Sequence, residues 1–111
     1  LQNQDINNKI IDKLKKYNLK KEYFFTTVNP KDKTFEETRY WRGPVWINSN
    51  WIIYQGLKNK DKNFAKLVKK ITLKLLEEKS FHEYYNYTNG ASLGANNFSW
   101  SAALYLDFKF E

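Results

Sequence analysis

In the opening stretch NQDINNKIIDKLKKY, apolar residues return at Ile6, Ile10, Leu14 and Tyr17, a spacing that predicts one amphipathic helix over 3–17. Residues 18–39, NLKKEYFFTTVNPKDKTFEETR, hold no sustained period and carry a turn at Pro30. A structureless connection of that length is uncommon and often functional. Gly43-Pro44 then predicts a helix start, with proline in the first turn where its missing N–H costs nothing. That helix is expected over 44–57, weakened near its end by Gly56. Asn59 or Asp61 suits the cap of the next helix, over 61–79, whose stripe is Phe64, Leu67, Val68, Ile71 and Leu75. Lys62, Lys66, Lys69 and Lys70 fall largely off that stripe. The short connection predicts an antiparallel pair. Residues 80–96, SFHEYYNYTNGASLGAN, are the second long non-helical stretch. Asn89-Gly90 is a strong hairpin signal and Gly94 a second glycine, so a short β-hairpin or ordered loop is expected. The final NFSWSAALYLDF predicts a helix over 97–107, apolar nearly all round and therefore expected to be buried.

Composition narrows this picture in three ways. With 111 residues the chain has the size of one domain. No run of about 18 apolar residues exists, so no membrane span is expected, and the first residues lack the basic-then-apolar pattern of a signal peptide. Methionine is absent altogether, which suggests a fragment or processed piece, and cysteine is absent, so neither disulfides nor thiol chemistry enter. The net charge of +7 invites a nucleic-acid partner, but the only arginines are Arg39 and Arg42. Base and phosphate recognition favours the bidentate arginine fork. A lysine-rich, solvated surface in a chain also rich in Asn, Ile, Tyr and Phe, all residues of A/T-rich codons, explains the charge better.

The unusual residues cluster in the loops that precede helices. YWRGPVWINSNW, residues 40–51, places three tryptophans, a tyrosine, an arginine and Gly-Pro within one short stretch. Core packing is the plain explanation, and an aromatic pocket for a polar ligand is the sharper one. The second loop again sets aromatics beside polar groups: His82, Glu83, Tyr84 and, just after it, Trp100. Sugars suit such walls, because their C–H faces pack on flat rings while their hydroxyls need fixed donors and acceptors.

YWRGPVWINSNWIIYQGL and EYYNYTNGASLGANNFSWSAALYLDF resemble the two most characteristic C-terminal segments of glycoside hydrolase family 63. Related (α/α)6-toroid glycosidases, trehalases and glucoamylases among them, are similar too. Within the family the resemblance is closer to the bacterial and archaeal enzymes acting on mannosylglycerate or glucosylglycerate. It covers residues 38–108, while 1–37 match loosely. The resemblance implies an all-α fold, a partial (α/α)6 toroid of about four helices with two long functional loops. Residues 1–111 would be the C-terminal fragment of a single (α/α)6 catalytic domain.

The implied chemistry is inverting glycoside hydrolysis, in which one carboxylic acid protonates the leaving oxygen and a carboxylate roughly 6.5–9.5 Å away activates water. The resemblance assigns the base to Glu83. The family's acid, an Asp on an upstream loop, has no match here; Asp5, Asp12, Asp32, Asp61 and Asp107 read as surface, cap or helix-end residues. Tyr40, Trp41 and Trp46 are assigned to the sugar pocket, with Trp100 near the base. Tyr40 and Trp41 have core packing as their alternative role. Arg42 either contacts ligand or pairs with a carboxylate to hold its loop. Trp51 reads as core. His82, the only histidine, lacks partners at metal-ligand spacing and is taken as a neighbour of the base or a loop-packing residue.

No cofactor or metal is expected. The sequons at Asn86 and Asn97 flank the implied site, where a glycan would obstruct substrate. They are taken as chance matches, which favours a cytoplasmic context. The expected partner is a small carbohydrate, not nucleic acid and not a membrane. The apolar last helix is expected to contact the chain's own missing upstream region or another copy of itself. Three functions stand in order: the base-bearing part of an inverting α-glycosidase, inactive alone; a truncated sugar-binding remnant; and a basic nucleic-acid-binding helical module, which would show steeply salt-dependent binding.

Overall fold

The computed structural model describes residues 4–18 and 22–111. Its elements run α1 (Gln4–Asn18), α2 (Ile47–Leu57), α3 (Lys62–Lys79), β1 (His82–Tyr85), β2 (Ser92–Asn96) and α4 (Ser99–Phe110). The mostly helical expectation holds, with an antiparallel hairpin, β1 to β2, around the Asn89-Gly90 turn. The first residue of the expected 3–17 helix, and 19–21 of the first long loop, lie outside the described residues.

Asp61 starts the longest helix: its carboxylate accepts the Phe64 N–H at 3.0 Å, satisfying one of the orphan donors of the first turn. Phe64, Ala65, Val68, Thr72, Leu75 and Leu76 are then buried. The expected stripe is widened rather than reproduced, with Leu67 and Ile71 only partly buried, because α2 and α4 both pack on α3. Fully burying a side chain such as Val68 or Leu75 contributes about 1.5–3 kcal/mol.

The first long loop is fastened by one buried amide. Asn50, on α2, donates from Nδ2 to the Phe24 carbonyl (2.7 Å) and to Thr72 Oγ1 (2.9 Å), and its Oδ1 accepts the Phe25 N–H (2.9 Å). Tyr23, Phe24 and Phe25 thereby enter the core. No period in the sequence announces this, because the buried residues are consecutive and unpaired with any regular element.

Three sequence expectations are corrected. Pro44 does not begin α2. It sits in an extended segment whose next residue, Val45, forms single-residue bridges with Thr26 and Tyr85, and the helix starts at Ile47. The face of α1 that meets the core is carried by Ile11 and Leu14, while Ile6 and Ile10 are exposed. The helix lies against the rest along a narrow seam that includes the Lys15–Asp61 ion pair. Finally, α4 is not buried all round: Ser101 and Phe108 are buried, but Trp100, Leu106 and Phe110 are exposed. It lies across α2 and α3 as an outer layer, tied by Trp51–Asp107, Lys58–Glu111 and Tyr105–Glu77 hydrogen bonds, so it buries only its inner side.

Candidate active site

Two backbone hydrogen bonds join the two unusual loops. Val45 N–H donates to the Tyr85 carbonyl at 2.8 Å, and Tyr85 N–H donates back to Val45 at 2.9 Å. This is the reciprocal pair of an antiparallel ladder. It puts Val45 and Tyr85, both fully buried, on the core side and brings their neighbours Trp46 and Tyr84 opposite one another.

The consequence is a ring stack. Tyr84 lies parallel to Trp46 at 5.1 Å and 18°, and Trp41 covers the indole of Trp46 at 3.6 Å and 13°. Tyr40 stands edge-on to all three rings. Tyr40 adopts φ +41, a left-handed conformation that costs a non-glycine residue about 1–3 kcal/mol. In that conformation its carbonyl accepts the Trp46 indole N–H at 2.9 Å. Trp46 is 1% exposed, so neither of its faces is open; the accessible aromatic surface belongs to Tyr40, at 49%, and Trp41, at 41%.

Glu83 stands beside this stack. The β1–β2 register runs His82↔Asn96 and then Tyr84↔Leu93, so Gly94 and Ala95 together oppose Glu83 in a β-bulge. Glu83 Oε1 accepts the Ala95 N–H at 3.1 Å. A Cβ on Gly94 would fall 2.6 Å from Tyr84 Cε1 and 2.7 Å from Glu83 Oε1, which makes the carboxylate and the Tyr84 ring edge close neighbours. The carboxylate is thus one ring away from Trp46.

The remaining residues divide differently. Arg42 ion-pairs with Glu36 at 3.2 Å and, with Arg39, holds the Glu36 carboxyl below the usual carboxylate range. This is the loop-holding role, closed by Glu36 N–H to Arg42 carbonyl and Arg42 N–H to Arg39 carbonyl bonds. Trp100 is exposed on the first turn of α4, its ring against Phe98 rather than in the stack. The His82 backbone is a junction: its N–H donates to Tyr85 Oη and its carbonyl accepts Ser101 Oγ at 2.6 Å, which docks α4 on the hairpin. Burial pushes the Tyr85 phenol up, and it donates to the Ser80 carbonyl at 2.6 Å. Asp32, Asp61 and Asp107 are engaged with Thr34, Phe64 and Trp51.

Among the described residues, no three His, Cys, Asp or Glu side chains gather to hold a metal ion. No helix among them is long and apolar enough to cross a membrane. A groove of about 260 Å³ between α1 and α2 is lined by Ile10, Ile11, Leu14, Ile53 and Leu57 among others; it shares no residue with the ring stack and presents no carboxylate. Sequence reasoning missed Tyr84 as the ring that links Glu83 to Trp46, and Glu36 as the partner of Arg42. Alternation along β1 sets Tyr84 on the face away from Tyr85, but its closeness to Glu83 comes from the bulge, and nothing in the sequence signals that or the Glu36 partner.

A family model described as the mannosylglycerate hydrolase MGH1-like glycoside hydrolase domain matches residues 1–101. The mannosylglycerate hydrolase of Thermus thermophilus is 44% identical over 90 residues, covering 78% of this chain and 21% of that protein. The glucosylglycerate hydrolase of Mycolicibacterium hassiacum is 32% identical over 83 residues, covering 74% and 19%. A crystal structure of the glycoside hydrolase family 63 mannosylglycerate hydrolase from Thermus thermophilus, in complex with Tris and D-glycerate, superposes with a TM-score of 0.87 at 37% identity. That match covers 95% of this chain and 26% of the neighbour. The chain therefore spans about a fifth of the length of the curated relatives it matches. Its four described helices form a partial (α/α)6 toroid.

Proposed function

The chain belongs to the mannosylglycerate hydrolase MGH1-like glycoside hydrolase family, and on that premise we propose that it is the C-terminal, base-bearing part of one inverting α-glycosidase domain. The substrate is a small α-mannoside or α-glucoside of the mannosylglycerate type. Glu83 is the general base. Tyr40 and Trp41 offer the sugar its flat surfaces, Trp46 and Tyr84 back them, Arg42 keeps their loop in place, and Trp100 stands at the rim. The observation that carries this is the Val45–Tyr85 bridge, which draws a carboxylate and an aromatic wall from separate loops to one place.

The chemistry follows from one carboxylate with one pinned oxygen. Glu83 Oε1 is held by Ala95 N–H, leaving Oε2 to take a proton from water as that water attacks the anomeric carbon. The acid that protonates the leaving oxygen lies outside these residues, in the upstream part of the domain. Leu106 and Phe110, exposed on the outer side of α4, are the apolar surface on which that part would pack. The isolated 111 residues accordingly hydrolyse neither mannosylglycerate nor glucosylglycerate, whereas the full-length enzyme does. Proton NMR of the full-length reaction tests the stereochemistry: the first free sugar released from an α-glycoside should be the β-anomer. An initial α-anomer, or turnover by the isolated chain, would overturn the proposal.

A further inference from the structure

We infer that the Gly94-Ala95 bulge is a positioning device for the Glu83 carboxylate, an inference that rests on the proposed role of Glu83. Three observations converge. The bulge adds one residue to β2 opposite Glu83, which turns the Ala95 N–H away from the ladder and onto Glu83 Oε1 at 3.1 Å. Gly94 holds φ +70, where a side chain is strained. The volume its missing Cβ leaves is bordered by Glu83 Oε1 (2.7 Å), Glu83 Cβ (2.8 Å) and Tyr84 Cε1 (2.6 Å). Glycine is needed here for space as well as for backbone freedom. Any side chain at 94 pushes on the carboxylate and on the ring that stacks on Trp46.

Pinning one oxygen by a backbone amide fixes which oxygen faces the water and along which direction its lone pair points. General-base catalysis depends on that geometry, whereas ground-state sugar binding by the aromatic wall does not. Gly94 and Ala95 are positioning residues acting through Glu83. Among the described residues, Oε1 alone of the two carboxylate oxygens takes a hydrogen bond.

The first test uses the wild-type chain. The Ala95 amide, held by Glu83 Oε1, should be protected from hydrogen exchange, and that protection should be lost in Glu83→Ala. An Ala95 amide that exchanges freely in the wild-type chain overturns the inference even if no variant folds. The second test is Gly94→Ala in the full-length enzyme, with Gly56→Ala as control, since a Cβ at Gly56 meets nothing within 4 Å. A displacement on the order of 1 Å of a catalytic group costs about 10²-fold. Gly94→Ala should therefore lower kcat by about 10²-fold with KM within about threefold, and Gly56→Ala should leave both unchanged. A Gly94→Ala enzyme with wild-type kcat overturns the inference while the role of Glu83 stands. Wild-type turnover by Glu83→Gln would instead remove that role.

Discussion

The phenol of Tyr84 lies parallel to the indole of Trp46, their centroids 5.1 Å apart. The two residues belong to separate loops and meet because Val45 and Tyr85, one position away on each strand, exchange both backbone hydrogen bonds. Tyr40 also meets the Tyr84 ring edge-on, at 5.8 Å, so Tyr84 touches the aromatic wall at two rings.

The stack makes an optical prediction. Trp41 and Trp46 at 3.6 Å and nearly parallel are close enough for their indole transitions to couple. The far-ultraviolet circular dichroism of the chain should carry an exciton couplet superposed on its helical signal. Trp41→Ala should abolish the couplet with little loss of helix, and Trp100→Ala should leave it, since Trp100 packs on Phe98. A couplet that survives Trp41→Ala would show that the stack does not form.

Asn50 is the structural counterpart of that pair. Its amide serves Phe24, Phe25 and Thr72, all buried. Asn50→Ala leaves the Phe25 N–H and the Phe24 carbonyl without a partner in the core. The expected loss is about 2–3 kcal/mol of unfolding free energy, at the usual 1–3 kcal/mol for a buried unsatisfied group. Urea denaturation measures it, and a loss below about 0.5 kcal/mol would contradict the account.

Asp61 predicts a pH dependence at the seam of α1. Its hydrogen bond with Lys15, and then the Phe64 N–H, hold its carboxyl below the usual value. A depressed carboxyl stabilises the fold above its unfolded pKa, and that contribution fades as the pH falls through the folded value. Asp61→Asn keeps a good cap but loses the Lys15 pair, whereas Asp61→Ala also loses the cap, worth about 1 kcal/mol. The stability gap between wild type and Asp61→Asn should be open at neutral pH, narrow with added salt, and close below the ordinary Asp range. A gap that widens on acidification would reverse the sign.

Much of this was legible beforehand, for physical reasons. α3 follows from period and cap: the Phe64, Val68 and Leu75 spacing and the Asp61 side chain are both local signals. Asn89-Gly90 announced the hairpin because its turn needs residues tolerant of the left-handed region. The start of α2 was misplaced because Pro44 fits an extended segment as well as a first helical turn, and only the Tyr85 bridge decides between them. The burial of Phe24 and Phe25 could not be read, since it depends on an amide 25 residues away or more. At the site, residue types and motif brought Tyr40, Trp41, Trp46 and Glu83 forward, but the choice of which ring is sandwiched and which is open required the fold.

The most direct test is Glu83→Gln in the full-length enzyme. Glutamine keeps the shape, and its carbonyl can still accept the Ala95 N–H, but the side chain no longer takes a proton from water. Sugar affinity, read by fluorescence of the neighbouring tryptophans, should stay within about threefold of wild type. Turnover of mannosylglycerate or glucosylglycerate should fall by at least about 10²-fold, the usual contribution of a positioned general base. Full wild-type turnover by Glu83→Gln would show that the base lies elsewhere, and the central claim would fall.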